Sequence, residues 1–149
     1  MRPAFYHKRI LAPSGWNELS QGEWIASQID ERLAAWWPRI FGYHMVKIGS
    51  LSRELDTSRC SIRHKVAVAS EPGADVLADV ARLPFQEASV DACLMAMSLN
   101  FHHNPHQLLR EVNRITVAIF APFGIIAQQI FQSRRSILKE TIGKFQEVF

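Results

Sequence analysis

The sequence predicts an α/β domain built around a parallel β-sheet. An almost entirely apolar run extends from Ser89 to Ser98, as in strands that are buried on both faces of a parallel sheet. A Leu-Pro-Phe turn at residues 83–85 precedes this run, and a helix with a marked start follows it at Asn104. A strand, a turn, a strand and a helix in this order are typical of nucleotide-type α/β domains.

The length and composition indicate one globular domain. The chain has 149 residues, of which 48% are hydrophobic and 21% charged, so it can bury a core and is not biased toward disorder. The net charge of +3 comes from cations spread along the chain, which disfavours a nucleic-acid partner. No apolar run reaches the about 18 residues of a membrane span, and the N-terminus is too polar for a secretory signal. We therefore expect a cytoplasmic protein without a membrane partner.

The N-terminal part is expected to contain an arm and an amphipathic helix. The arm covers residues 1–15, and residues 16–149 form the single domain. Apolar residues recur at helical spacing from Gln21 to Trp37, and Pro38 disrupts the pattern, which predicts a helix. Its tryptophans are expected to pack against the sheet, and a binding surface is the alternative.

Four strands are predicted before the marked helix, at residues 43–48, 65–69, 76–78 and 89–98, and residues 51–55 after the first of them are expected to form a turn or a short helix. The connection between the first two strands is expected to be irregular, because it offers little more than the roughly dozen residues that a parallel crossover needs. Cys93 falls inside the fourth strand, where we expect a small core residue in a reducing compartment.

The helix at residues 104–114 has the clearest start signal. Asn104 can cap the first turn, Pro105 suits the first helical position, and Gln107 can reach back as in a capping box. This combination predicts both the presence and the first residue of the helix.

Two further elements are predicted after this helix. Residues 116–120 are expected to form a fifth strand. Residues 125–149 have one apolar helical face with basic residues elsewhere, which predicts an amphipathic helix that covers the sheet. Binding of this helix to a membrane surface or a partner is the alternative.

Several motifs between residues 79 and 114 resemble those of a known family. An acidic residue, Asp79, follows the third strand, Ser89-Val90-Asp91 opens the fourth, and the helix ends in Arg-Glu-x-x-Arg. With the Leu-Pro-Phe turn, this pattern resembles the type 11 group of class I S-adenosylmethionine-dependent methyltransferases. A wider resemblance to a little-characterised bacterial subgroup covers residues 16–115 and includes Trp36-Trp37, Gly42-Tyr43-His44, Lys47-Ile48-Gly49 and Leu51-Ser52.

The resemblance implies a Rossmann-like, three-layer parallel sheet and S-adenosyl-L-methionine as the cofactor. Such a cofactor would lie across the carboxyl ends of the strands, where the strand order reverses. The family continues with strands that the residues after 115 do not match, so we expect a C-terminally shortened or divergent sheet. The cofactor-binding residues that the resemblance implies are Gly49, Ser50, Glu71, Asp79, Val80 and Met97, with Ser98 beside the acceptor.

The loop after the first strand departs from the family pattern. The family has Gly-x-Gly-x-Gly there, so that bare backbone can approach the cofactor, whereas residues 49–53 are Gly-Ser-Leu-Ser-Arg. We expect Leu51 and Arg53 to crowd a standard loop, while Ser50 and Ser52 leave a modified loop possible.

Three acidic residues have alternative interpretations. Glu71 stands one or two positions later than the family's ribose-binding acid, and an exposed turn acid is the other interpretation. Asp79 can contact the adenine amine or only bond nearby backbone amides. Asp91 is expected to be structural, because it stands at the start of a strand.

The histidines at positions 102, 103 and 106 suggest two kinds of site. A metal site is disfavoured, because the cap at Asn104 separates His102 from the helix and no Asp, Glu or Cys stands nearby. We therefore predict no metal. His102 and His103 are the candidate catalytic bases, since either could take a proton from a methyl acceptor.

Two functions stay open at this point. The first is an S-adenosylmethionine-dependent methyltransferase whose acceptor, a small molecule or a macromolecule, is unknown. The second is a catalytically inactive methyltransferase-like binding or scaffold protein that associates, for example as a homodimer, through its open sheet edge and C-terminal helix. Titration with the cofactor would separate them.

Overall fold

Four parallel strands form the central sheet of this computed structural model, which describes residues 12–117. They are β1 (His44–Ile48), β2 (His64–Ala69), β3 (Val76–Leu77) and β4 (Ala92–Met95), in the spatial order β3-β2-β1-β4. Strand β1 is central, since Met45 pairs with Lys65 on one side and with Ala92 on the other. All four predicted strands are confirmed.

Strand β4 is shorter than predicted because the ends of the apolar run serve other contacts. Val90, before β4, forms an isolated parallel bridge with Thr116, the first residue of the predicted fifth strand. At the other end, Met97 has a φ of +56°, which ends the extended conformation. The remainder of the predicted fifth strand, the predicted helix over residues 125–149 and residues 1–11 of the predicted arm lie outside the described residues.

Three helices accompany the strands: α1 (Gly22–Ala34), α2 (Ser50–Glu54) and α3 (Pro105–Ile115). Helix α1 ends before the predicted limit, and a 3₁₀ turn at Trp37–Arg39 contains Pro38. Trp37 is only 2% exposed, as predicted, but Trp24 is 61% exposed. The prediction that the tryptophans pack against the sheet is therefore wrong for Trp24. Trp24 lies on the outer side of α1, whereas Ile29 and Leu33 are buried.

Two apolar clusters cover the two faces of the sheet, because successive side chains of a strand point to opposite faces. Met45 packs in the cluster that includes Ile29 and Leu33 of α1. Ile48 packs in the other cluster, with Leu108 of α3. Helices therefore cover both faces, which confirms the predicted three-layer architecture.

Cys93 confirms its predicted place in the core. Its side chain is 4% exposed in the cluster beneath α3. Burial raises the pKa of its thiol to about 11, although a hydrogen bond with Thr116 opposes this. A neutral, enclosed thiol packs as a small apolar side chain.

The start of α3 confirms the predicted cap and corrects the predicted capping box. The Asn104 Oδ1 atom accepts a hydrogen bond from the backbone N–H of Gln107 at 3.1 Å. The Gln107 side chain does not reach back; its Nε2 donates to the Ala81 carbonyl at 3.3 Å. The capping box is wrong because this side chain bonds the segment between β3 and β4 instead.

Replacing Asn104 with alanine is expected to lower the free energy of unfolding by about 1 kcal/mol, because the amide of Gln107 loses its acceptor. Asn104→Ser should retain most of the stability, since a serine hydroxyl can accept the same bond. Urea denaturation measures the difference. Asn113→Ala, at an exposed position of the same helix, is the matched control, and an equal loss in both alanine variants would contradict the capping role.

Asp91 holds the amino end of β1, as predicted. Its Oδ2 atom accepts hydrogen bonds from the backbone N–H groups of Tyr43 at 2.8 Å and His44 at 2.9 Å. This end of the sheet lies opposite the carboxyl ends of the strands, where the predicted cofactor residues lie. The contacts of Asp91 are therefore structural.

Candidate functional site

The carboxyl ends of the four strands bring the predicted cofactor residues to one edge of the sheet. Gly49 directly follows β1, while Glu71, Asp79 and Met97 each stand two residues after β2, β3 and β4. The chain order reverses at β1, since β2 lies on one side of it and β4 on the other. In open parallel sheets, ligands bind in the crevice outside such a reversal.

Gly49 has a backbone conformation that requires glycine. Its φ of +87° and ψ of 159° lie in a region that side chains exclude. The N–H of Gly49 donates to the Val68 carbonyl at 2.8 Å, which fixes the loop to β2. A Cβ atom here would lie 2.9 Å from the Ser98 Oγ atom. The first glycine of the family pattern is therefore present where bare backbone is needed.

Ser50 and Glu71 are joined across the ends of β1 and β2. The Ser50 hydroxyl donates to the Glu71 Oε2 atom at 3.1 Å, and Ser50 itself is 6% exposed. Glu71 is half-buried. The bond joins the loop after β1 to the turn after β2. Whether Glu71 is a ribose-binding acid or a turn acid stays a prediction.

Comparison with known proteins identifies the family of this fold. A family model described as a methyltransferase domain matches residues 43–118. The chain belongs to the methyltransferase domain family. The uncharacterized protein YafS of Escherichia coli (strain K12) is 36% identical over 118 residues, which cover 78% of this chain and 49% of that relative. The chain therefore spans about half the length of this curated relative.

Solved structures share the fold of this methyltransferase domain. A candidate S-adenosyl-L-methionine-dependent methyltransferase from Methanococcus maripaludis matches with a TM-score of 0.58 and 16% identity, over 85% of this chain and 75% of the other. A chain from the complex of the Haloferax volcanii Trm112 methyltransferase activator with a candidate methyltransferase matches with a TM-score of 0.50 and 19% identity. The match covers 64% of this chain and 54% of that one. Both confirm a class I, Rossmann-like methyltransferase fold.

The methyltransferase domain accommodates Leu51 in its core. The expectation that Leu51 crowds the loop is wrong, because residues 50–54 form helix α2, which directs this side chain into the cluster beneath α1 at 3% exposure. The Arg53 guanidinium lies against Gly73, in the turn after β2, and fills the space that a side chain at position 73 would need. A helical turn thus replaces the extended glycine loop.

Trp16 fastens α2 from outside the family motif. Its indole Nε1 donates to the Leu51 carbonyl at 3.0 Å, and its backbone N–H donates to the Glu54 carboxylate at 3.1 Å. No local sequence pattern indicates this role, since residues 16 and 51 are far apart in the chain. Pro13 and Gly15, assigned to the arm, are also buried.

Two serine hydroxyls connect the loop after β1 to the end of β4. The Ser52 hydroxyl donates to the Ile48 carbonyl at 2.6 Å and accepts from the Ala96 N–H at 2.7 Å. The Ser98 hydroxyl donates to the same Ile48 carbonyl at 2.7 Å. These bonds connect both sides of the crevice, and those of Ser52 are buried, which strengthens them.

The Asp79 carboxylate makes a local contact. Its Oδ1 atom accepts from the Ala81 N–H at 2.9 Å, and the Asp79 carbonyl accepts from the Arg82 N–H at 2.8 Å. This is the local turn that the sequence leaves open. Asp79 and Val80 nevertheless lie at the cofactor edge, so their contact with adenine stays a prediction.

His102 and His103 occupy the connection between β4 and α3, with ring centroids 4.6 Å apart. The His102 Nδ1 atom accepts from the Asn104 N–H at 3.0 Å, so a neutral His102 carries its proton on Nε2. That nitrogen can then donate but not accept. The catalytic role of both His102 and His103 stays a prediction.

Metal ligands do not cluster in the described part of the chain. Between residues 12 and 117, no group of three or more His, Cys, Asp and Glu side chains is placed to hold an ion. The Nδ1 atoms of His44 and His64 lie 2.9 Å apart at the amino end of the sheet. Within the same residues, the helices are too short or too polar to traverse a bilayer.

Proposed function

We propose that this methyltransferase domain binds S-adenosyl-L-methionine at the carboxyl edge of its sheet and catalyses methyl transfer to an acceptor. The hydrogen bond between Ser50 and Glu71, beside the bare backbone of Gly49, is the observation that carries the proposal. The bound cofactor supplies an electrophilic methyl group on a sulfonium. The protein therefore needs no nucleophile of its own.

The residues at this edge fit the parts of the cofactor. Glu71 would accept hydrogen bonds from the ribose hydroxyls, and the bare backbone of Gly49 would allow a close approach of the ligand. Asp79 and Val80 would border the adenine, while Met97 and Ser98 would border the methionine part and the acceptor. These assignments follow the strand ends at which the residues lie.

Catalysis by this chain would rest on alignment and on proton removal. Direct displacement requires the acceptor atom in line with the methyl group, and a rigid crevice lowers the entropic cost of this alignment. The bonds of Ser52 and Ser98 to the Ile48 carbonyl provide that rigidity. His103 would take the acceptor proton if the acceptor loses one on methylation.

Titration calorimetry with S-adenosylmethionine and its demethylated product tests the proposal. We expect micromolar binding of both ligands. Glu71→Gln should weaken binding by about 10-fold or more, because an uncharged amide accepts hydrogen bonds from hydroxyls less strongly. Glu87→Gln, an exposed acid before β4, is the matched control and should bind as the unchanged protein does. If neither ligand gives a measurable heat of binding, the proposed function is refuted.

The second hypothesis, an inactive binding protein, predicts the opposite pair of results. A homodimer or a stable complex that does not bind the cofactor would support it, whereas a monomer that binds the cofactor would contradict it. Analytical sedimentation measures this. The Haloferax volcanii relative, from a complex with a methyltransferase activator, makes a protein partner compatible with either hypothesis.

A further inference from the structure

Lys47 is a charged residue in the central strand of a parallel sheet, where side chains are usually apolar. It follows Met45 by two residues and therefore lies on the α1 face of β1. Its neighbours in the adjacent strands are Ala67 and Leu94. A half-buried ammonium in this place requires partners that offset the cost of removing it from water.

The partners of Lys47 are backbone carbonyls at the end of α2. The Nζ atom donates to the Leu55 carbonyl at 2.9 Å, and a second contact to the Arg53 carbonyl measures 3.4 Å. The last carbonyls of a helix have no partners within the helix, and a cation at this end is favourable. Lys47 therefore caps α2 from the sheet below it.

Charged groups from four elements surround this ammonium. Asp30 projects from α1, Asp56 follows α2, Asp75 precedes β3, and Lys65 lies on β2. Burial lowers the pKa of Lys47, and Lys65 adds to this, whereas the three carboxylates oppose it. Burial also raises the pKa of Asp30, whose Oδ1 atom has no hydrogen-bond partner among the described residues.

The capped helix is the segment that shapes the cofactor edge. Helix α2 begins at Ser50, directly after Gly49, and has only five residues. A helix this short is not stable by itself, so contacts from the rest of the fold, including those at its far end, contribute to where its first turn lies. Ser50 in that first turn bonds Glu71, so a shift of α2 would move both groups that are placed to meet the cofactor.

We propose that Lys47 is a positioning residue that, by binding the last carbonyls of α2, places Gly49 and Ser50 for the cofactor. This inference rests on the proposed function of the same edge. Lys47 does not touch the cofactor in this scheme. Its ammonium acts through the backbone of α2, and the contact is strongest while the group is protonated.

Lys47→Met and Lys47→Arg test the proposal when they are titrated with the demethylated cofactor product between pH 7 and pH 10. Lys47→Met should weaken binding by about 10-fold at pH 7, because the charge-assisted bonds to α2 are lost. Lys47→Arg should retain the affinity, since a guanidinium also donates to carbonyls and stays charged. Lys65→Met, which removes the ammonium next to Lys47 on β2, is the matched control and should bind like the unchanged protein.

The pH profile separates positioning from general destabilisation. The affinity of the unchanged protein should fall as the pH rises through the lowered pKa of Lys47, because the neutral amine binds the carbonyls less strongly. Lys47→Arg should lack this fall. The ligand's own amine titrates equally in both proteins, so the difference between the two profiles isolates residue 47.

Amide hydrogen exchange provides a readout that needs no ligand. The N–H of Arg53 bonds the Gly49 carbonyl at 3.3 Å and that of Leu55 bonds the Ser52 carbonyl at 3.4 Å, so both report on α2. Exchange at these amides should be faster in Lys47→Met and equal to that of the unchanged protein in Lys47→Arg. If Lys47→Met does not fold, the pH profiles of the unchanged protein and Lys47→Arg decide.

The failures of the two proposals are distinguishable. If the unchanged protein binds neither ligand, the proposed function is refuted. Capping by Lys47 would still be supported in that case if the amides of α2 exchange more slowly in the unchanged protein than in Lys47→Met. Equal affinity, equal pH dependence and equal exchange in Lys47→Met and the unchanged protein would overturn the positioning role. Equal losses in Lys47→Met and Lys65→Met would also overturn it.

Discussion

Replacing Gly49 with alanine is expected to lower the free energy of unfolding and to abolish most cofactor binding. The φ of +87° and ψ of 159° cost an L-residue about 1–3 kcal/mol. The added Cβ would also lie 2.9 Å from the Ser98 Oγ atom, which bonds the Ile48 carbonyl. Relief of this contact moves the loop or Ser98, and either shift disturbs the crevice. Urea denaturation and calorimetry measure the two effects.

Ser98→Ala provides the control for this prediction. By itself it removes one hydrogen bond and should lower stability by about 1 kcal/mol. Combined with Gly49→Ala, it relieves the contact with the new Cβ but leaves the backbone strain, so the double variant should lose less than the sum of the single losses. Additive losses would show that the contact with Ser98 is unimportant. Unchanged stability and affinity in Gly49→Ala would contradict the prediction as a whole.

Arg114→Met is expected to destabilise the fold by about 2–3 kcal/mol, because it releases the turn between β3 and β4. The Arg114 guanidinium donates to the Leu83 and Phe85 carbonyls, each at 2.9 Å. It also binds the Glu111 carboxylate at 2.8 Å, and that carboxylate accepts from the Leu83 N–H at 2.9 Å. Arg114 and Glu111 of α3 thus hold both ends of the Leu-Pro-Phe turn.

The effect of Arg114→Met should depend on pH. The hydrogen bond from Arg114 holds the pKa of Glu111 below its ordinary value, although burial partly opposes this. A carboxyl with a lowered native pKa adds stability that is complete above its unfolded pKa, roughly 4.3 for glutamate, and is lost as the pH falls through the native value. The stability difference between the two proteins should therefore be largest near neutral pH and shrink below about pH 4.

Arg110→Met is the matched control, because Arg110 is an exposed arginine on the same helix. Surface substitutions of this kind usually change stability by less than about 0.5 kcal/mol. Denaturation of the three proteins at neutral and acidic pH completes the test. A loss in Arg110→Met as large as that in Arg114→Met would indicate that helical charge, and not the contact with the turn, accounts for the change.

The Arg-Glu-x-x-Arg pattern shows how a motif can indicate a fold without revealing what the residues of the motif do. The sequence places it at the end of α3 and connects it with the methyltransferase family. The structure shows that Arg114 and Glu111 contact the turn almost thirty residues earlier in the chain. The motif therefore stabilises the fold, and the residues proposed to bind the cofactor lie elsewhere.

The loop after β1 shows why site geometry was harder to predict than elements. The family resemblance implied that Leu51 would crowd the loop, because the family has a Gly-x-Gly-x-Gly pattern at this position. Contacts from Trp16 and Lys47 instead hold a short helix, which directs Leu51 into the core. Helix α2 is too short for local preferences to decide its conformation.

The sequence by itself determined the order of strands and helices, the start of α3 at Asn104 and the set of residues that follow the strand ends. These features depend on hydrophobic periodicity and caps, whose partners lie within a few residues. Only the tertiary structure decided that Glu71 is bonded to Ser50, that Gln107 bonds Ala81 and that Lys47 caps α2. Each of these contacts joins separate elements, and a polar side chain with several available partners takes the one that the packed fold brings within reach.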